Sequence, residues 1–478
     1  MCNSTADGGK RCIPGTTAAH RRNLVRQMNR AEGTAKRNEL QNKIINLDNA
    51  KKKYGNCVSP MDLNIPDGVQ NVLNTISSKG YNPILVGGTV RDALLGDGKP
   101  KDFDIEVYGT DIDTLAKSLR RSGYRVDEVG KRFGVLKVTT KDANRDDLDI
   151  SVPRRDSLVG AGHRGFDIEM DPEMSVAEAS ARRDYTINTL GWDYRYGVMI
   201  DPHNGAEDLR HKNLRHVSEA FAEDPLRTIR GFQFAARFGM TMDPETAEFA
   251  RSLYPRAKEL PKEGFATEWE KFYHKAKYPS AGMKVMRDIG WNNHAPGLAG
   301  VNNEEMDHKL DTVHEVSTRD GLNNTQKATL YAATLMRNMS DEDADGFART
   351  TLIGKEKQQM AKHMRSTRPT AGISNYGVRR LAQELGRKKI TVEDWARYER
   401  ISGDKGLADE VLSKAEKLNV NRSVEEPYLM GRDVLGMTSR KPGKWMTGFL
   451  SEAEERQYRG EFKNAQEAHD WARKELTE

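Results

Sequence analysis

The spacing of hydrophobic positions changes character near residue 80. Upstream, Leu40, Ile44 and Leu47 recur at helical intervals within 36–52, and a further helical stretch is predicted over 67–78. Pro83–Val86 is a short apolar run ending in Gly87-Gly88, the pattern of a buried strand entering a tight turn. Val90–Leu95 reads as one or two helical turns. Asp102–Tyr108 alternates with period two, which predicts a strand carrying Asp102, Asp104 and Glu106 on one face. A helix follows over 111–122, then strands over 134–140 and 148–152 flanking the polar turn 142–147. From Ser175 the pattern is mainly helical. The exceptions are a hairpin, Leu190–Tyr194 with Val198–Ile200, and the loop Asp201–Gly205. Boundaries are expected near 60, 215, 298 and 420. They divide the chain into a mobile arm (1–60), a mixed α/β head (61–215), a helical neck (216–297), a helical body (298–420) and a helical tail (421–478). No repeat or low-complexity tract stands out.

Composition narrows the class. The chain has 478 residues, 31 % charged and 36 % hydrophobic, with aromatics spread throughout, as expected of a soluble, mostly helical, multi-domain protein. No run of about 18 apolar residues occurs, so no membrane helix is expected. The first residues lack the apolar core of a secretory signal. The three cysteines, Cys2, Cys12 and Cys57, exclude a disulfide framework or a cysteine-rich zinc site and suggest a reducing, cytoplasmic setting without disulfide partners. The net charge of +5 is uneven: residues 1–60 hold 12 Lys+Arg against 4 Asp+Glu, +8, leaving −3 for the rest. Such an arm can neutralise phosphates; the plainer reading is a solvated tail that aids solubility.

The chemistry gathers in the head. Carboxylates two apart on a strand, as in Asp102-x-Asp104, share a face and repel unless a divalent cation joins them. Gly87-Gly88-Thr89-Val90-Arg91-Asp92 is a glycine turn opening a helix, whose backbone N–H groups, with Arg91, suit a triphosphate. Asp149 supplies a third carboxylate from a neighbouring strand; Asp147 shares its face and competes for that role. Three carboxylates beside a phosphate-binding turn describe a nucleotidyl-transfer centre, with two Mg²⁺ ions on Asp102 and Asp104.

The run LVGGTVRDALLG followed by KDFDIEV resembles the head of the tRNA nucleotidyltransferase/poly(A) polymerase superfamily, class II branch. Further blocks follow in that family's order: Asp149–Arg155, Ala181–Asn188, Asp201–Leu209, Glu223–Arg227, and a tail block at Gly431–Val434 with Lys441–Gly443. The resemblance implies a DNA polymerase beta-like head followed by an all-α neck, body and tail. It implies that Arg182 and Asp184 place the triphosphate and sugar, and that Asn188 shapes the site. Arg230, one turn beyond Arg227, suits a phosphate; the next family arginine position is Gln233 here. Arg183 and Arg237 read as structural.

Within the Glu223–Arg227 block, a helical segment would put Asp224 and Arg227 on one face. Asp only accepts hydrogen bonds and Arg only donates. Cytosine and adenine each offer an amino donor beside a ring-nitrogen acceptor, so the pair fits both; uracil and guanine present the reverse pattern. Glu223 would brace Arg227. The bland alternative is a surface ion pair. In the middle of the chain, Met336 and Arg337 occupy positions where many relatives carry the His-Asp of a metal hydrolase, and neither replaces a hard-metal ligand pair. His308 and His314 are left as isolated histidines. The expected reaction is template-independent addition of C and A from CTP and ATP to an RNA 3′ end, that of a tRNA above all. Poly(A) polymerase, a catalytically silent RNA-binding protein and a nucleotidyltransferase with another target remain as alternatives.

Overall fold

The computed structural model describes residues 16–96, 102–128, 130, 134–142, 147–158 and 166–477. The chain divides into two compact units, Met1–Pro261 with Asp288–Gly290, and Lys262–Arg287 with Trp291–Glu478. The division falls inside the stretch expected as a single neck.

The first unit begins with helices α1 (Thr16–Arg30) and α2 (Thr34–Tyr54). Next come β1 (Val58–Pro60), α3 (Asp67–Ser78), β2 (Asn82–Val86), α4 (Gly88–Leu95), β3 (Phe103–Tyr108) and α5 (Ile112–Arg121). Strands β4 (Arg125–Asp127), β5 (Val135–Thr139), β6 (Asp147–Ser151), β7 (Arg154–Leu158) and β8 (Phe166–Met170) follow. Then come α6 (Val176–Ala181), β9 (Gly191–Asp193), β10 (Val198–Ile200), α7 (Gly205–Arg210) and β11 (Asn213–Leu214). Helix α8 (Leu226–Phe238), β12 (Thr241–Met242) and α9 (Pro244–Ser252) complete it.

One sheet organises these elements, in the order β1-β10-β9-β2-β3-β6-β5-β4. Its neighbours are antiparallel except β3 and β6, which run parallel. The register sets Leu85, Ile105 and Ile150 side by side on one face, and Ile84 beside Glu106 on the other. Asp104, two residues from Glu106, shares the second face. Strands β7 and β8 form a separate antiparallel pair, and the short β11 and β12 pair in parallel.

The hairpin α1–α2 corrects the expected mobile arm. Leu24 of α1 and Leu40, Ile44, Leu47 and Ala50 of α2 are buried in one cluster with Ile84, Val86, Tyr108, Val198 and Ile200. The helical stripe seen in the sequence is thus half of a two-helix core on the second sheet face. Its attachment is also polar. The Tyr54 hydroxyl donates to the Asp193 carboxylate (2.5 Å) and the Asn82 amide donates to the Tyr54 oxygen (3.0 Å). Asp193 is fully buried, so these bonds satisfy a carboxylate removed from water. Residues 56–60, assigned to the arm, supply the edge strand β1 through its pairing with β10. Residues 1–15, including Cys2 and Cys12, lie outside the described residues.

The second unit is helical: α10 (Lys262–Lys275), α11 (Pro279–Asp288), α12 (Leu298–Val301), α13 (Glu304–Arg319), α14 (Asn324–Met336) and α15 (Asp341–Thr351). There follow α16 (Lys355–Ser366), α17 (Asn375–Gly386), α18 (Val392–Ser402), α19 (Lys405–Lys417), α20 (Gly431–Met437), α21 (Lys444–Arg459) and α22 (Ala465–Thr477). Trp269 is fully buried against the rings of Phe272, Tyr273 and Phe347. Met336 is fully buried, and the Arg337 guanidinium donates to both oxygens of Glu399, at 2.5 and 2.9 Å. Met336 and Arg337 therefore both hold α14 in place, Met336 by packing and Arg337 by tying it to α18. No helix among the described residues is long and apolar enough to cross a membrane.

Candidate active site

The site is built around the end of β2 and the start of β3. Gly87 adopts φ 68°, ψ −124°, a region that favours glycine, and a Cβ there would approach Arg183 Nη1 to 3.0 Å. Its N–H donates to Leu190 O (3.0 Å). The chain then turns into α4, and Thr89 Oγ1 donates to the carbonyl of Asp102 (2.7 Å). This bond ties the glycine turn to the strand that carries the paired acids.

Asp104 lies directly across from Asp149 in the parallel β3–β6 register. Desolvation beside the sheet pushes the Asp104 carboxyl up although the residue stays accessible. Arg183 pulls it down, and the charges of Asp149 and Asp102 push it up again. Lys137 Nζ stands 3.2 Å from Asp149. Asp147, the competitor, accepts from Thr139 Oγ1 (2.8 Å). Glu106, on the same face, is buried and accepts from the Tyr108 hydroxyl (2.6 Å). Among the described residues no three His, Cys, Asp or Glu side chains converge on one point as they stand.

A chain of ion pairs and hydrogen bonds runs from the glycine turn to α8. Arg237 Nη2 donates to Asp92 (2.9 Å), and Asp92 accepts from Arg91 Nε (2.8 Å). Arg91 Nη1 donates to Asn188 Oδ1, and Asn188 Nδ2 donates to Asp184 Oδ1 (2.9 Å). Arg230 Nε lies 3.1 Å from Asp184 Oδ2. Burial raises the Asp184 carboxyl, but Arg230, Asn188 and the Tyr185 N–H outweigh it, and the net shift is downward. Arg91 differs from expectation. It is buried, 4 % exposed, packs over the rings of Phe234 and Phe238, and its guanidinium is committed to Asp92 and Asn188. Arg230 keeps 40 % of its side chain exposed. Arg182 sits half-buried at the C-cap of α6.

Comparison with known proteins fits this arrangement. Residues 84–215 match the Poly A polymerase head domain. A Multifunctional CCA protein from Aliivibrio salmonicida is 36 % identical over 213 residues, 43 % of this chain and 48 % of that protein. The head-domain match spans the glycine turn and the acids of β3 and β6. A Multifunctional CCA protein from Xanthomonas oryzae pv. oryzae is 40 % identical over 172 residues, 35 % of this chain and 39 % of that protein. The alignments thus span less than half the length of these curated relatives. The fold extends further. A Thermotoga maritima CCA-adding enzyme complexed with tRNA superposes with a TM-score of 0.58 at 16 % identity, covering 86 % of this chain and 96 % of that one. The Bacillus stearothermophilus CCA-adding enzyme in complex with CTP gives 0.57 at 19 % identity, covering 86 % and 98 %.

Beyond the matched head, the block Glu223–Arg227 departs from the single helix expected of it. Asp224 is extended (φ −127°, ψ 104°) and Pro225 caps α8, so Asp224 precedes the helix. Pro225 forces this, because a residue before proline is steered away from the helical region. Asp224 Oδ1 instead accepts from the Leu226 N–H (3.0 Å). Arg227 donates to the carbonyl of Ala220 and stands 3.9 Å from Glu223. The backbone carbonyl of Arg227 is held by the Tyr185 hydroxyl (3.0 Å).

Three residues of this head escaped the sequence reading as site groups. Arg183, read as structural, lies beside Gly87 and acts on Asp104; its signal was adjacency to Arg182 and Asp184. Asp92 was visible only as the last letter of the glycine block. Lys137 gave no signal, because its role comes from cross-strand pairing with Asp149.

Proposed function

We propose that this protein is a template-independent nucleotidyltransferase that adds C and A from CTP and ATP to RNA 3′ ends with release of pyrophosphate, rebuilding the CCA end of tRNA. The reading rests on one observation above the others: Asp104 and Asp149 face each other across parallel strands, beside a glycine turn, within a head of this family. The relatives named as CCA proteins and the solved CCA-adding enzymes support it.

The acids fit a divalent cation. Asp102 and Asp149 both raise the Asp104 carboxyl, and that mutual repulsion is what a cation among them relieves. Mg²⁺, held by Asp102 and Asp104, would supply charge neutralisation at the α-phosphate and activation of the 3′ hydroxyl. Asp149 orients that hydroxyl and accepts its proton. The N–H groups at Gly87 and Gly88 bind phosphate oxygens, with Arg183 beside them. Arg230 and Arg182 bind the triphosphate. Arg91 and Asn188 act as positioning residues, holding Asp184, and through it Arg230, against the turn. Asp224 and Arg227, at the head of α8, read the base edge, with Glu223 bracing Arg227.

Mg²⁺-dependent incorporation of labelled CTP into tRNA lacking its CCA end, lost in Asp104→Asn, is the expected result. Tight RNA binding with no incorporation would establish a silent binding protein instead. The head is also that of poly(A) polymerases; a product of A alone would favour that reading.

A further inference from the structure

We propose that the exposed face of α1 is a binding surface for the phosphate backbone of RNA, lying outside the nucleotide site. The inference rests on the proposed RNA substrate. Between residues 16 and 54 the chain has ten Lys+Arg and three Asp+Glu, +7, so the rest of the chain sums to −2. The positive excess of the whole protein therefore sits on one folded hairpin.

Its arrangement is specific. Arg22, Arg26 and Arg30 recur every fourth residue, forming one row along α1 with steps of about 6 Å. All three are exposed, while Leu24 on the opposite side is buried in the cluster with the sheet. Helix α1 contains no acidic residue. Neighbouring cations are consumed locally: Arg21 pairs with Asp48 at 2.8 Å and Lys36 with Glu39 at 2.8 Å. Among the described residues the three arginines have no such carboxylate partner. Three planar cations set in a row by one folded helix suit a phosphate chain. A merely solubilising surface does not require a row left free beside cations that are paired.

The position fits too. The hairpin packs on the face of the sheet that also carries Asp104, through Ile84, Val86 and Tyr108. RNA whose 3′ end reaches the carboxylates would pass near this unit's basic helix. The row lies before residue 84, where the match to the head domain begins.

The test uses the full chain with Arg22, Arg26 and Arg30 all changed to Gln, and the same three changed to Lys. Binding of tRNA lacking its CCA end is measured without nucleotide across a KCl series. Removing three phosphate contacts should weaken binding and reduce the slope of log K against log salt by about 2 to 3. The Lys variant should keep the wild-type slope, and kcat at saturating RNA and CTP should be unchanged in both. Unchanged affinity and slope in the Gln variant overturn the proposal. So does wild-type binding to anionic vesicles without binding to RNA. If the triple Gln variant melts early, Arg26→Gln alone should lower the slope by about 0.7 to 0.9, and no change there overturns the proposal equally. Because binding is read without catalysis, a wild-type protein that binds RNA through this row yet adds no nucleotide would refute the proposed activity and leave this surface standing.

Discussion

Asp149 stands opposite Asp104 on adjacent parallel strands, and Asp147, two residues earlier, is taken up by the Thr139 hydroxyl. That register supports Asp149, rather than Asp147, as the third carboxylate of the proposed site. Asp149→Ala should lower kcat at least about a hundredfold, as expected when the proposed proton acceptor is removed. Asp147→Ala should lose less than about tenfold. Single-turnover addition of CTP to a pre-bound primer separates the two.

The Asp92 carboxylate is shared between Arg91 and Arg237. Asp92→Ala leaves the buried Arg91 without its counter-charge, which should destabilise the first unit by about 3–5 kcal/mol. Arg237→Gln should cost less, because its side chain is 20 % exposed and solvent replaces part of the loss. Urea unfolding of the two variants gives the comparison. With Asn188 and Asp184 displaced, Asp92→Ala should also raise the KM for CTP.

In the helical body, burial pushes the Glu399 carboxyl up, but Arg337 and the Asp404 N–H pull it down further, to a net lowering. A lowered carboxyl adds stability that is present above the ordinary glutamate range, near pH 4.3, and is lost as pH falls through the folded value. Arg337→Met removes that stabilising partner. The variant should be less stable than wild type near neutral pH, and the gap should close below about pH 4. Thermal unfolding from pH 7 to pH 3.5 tests this; a constant gap would mean the pair is not the source.

The proposed reading gives base choice to Asp224, one of whose oxygens already accepts from the Leu226 N–H at the start of α8. Asp224→Asn keeps an acceptor for that N–H and changes what the other side of the group offers. The ratio of kcat/KM for CTP over UTP should fall, with kcat for CTP also reduced. Arg227→Ala should instead slow all nucleotides. An unchanged ratio in Asp224→Asn would remove this pair from base reading.

Much of the head was legible in the sequence. The strands at Asn82–Val86, Phe103–Tyr108, Val135–Thr139 and Asp147–Ser151 follow the expected runs, because alternation and glycine punctuation are local properties. The acids of β3 were found the same way. What escaped was set by distant partners. Helix α1 is polar over most of its surface, and Leu24 gains meaning only beside Leu40 and Ile44. Strand β1 is three residues long and is a strand only because β10 pairs with it. Arg91 reads as a phosphate ligand from its place in a glycine block, yet Phe234 and Phe238, more than 140 residues away, bury it. Asp224 was misplaced for a local reason, the effect of Pro225, which was visible in the sequence.

The central claim is tested most directly by sequencing the 3′ ends of tRNAs ending before the tail, at C and at CC, after incubation with Mg²⁺, CTP and ATP. The proposed arrangement predicts products ending in CCA from all three, and none with Asp104→Asn. Unextended RNA, or a run of A longer than one, would contradict it.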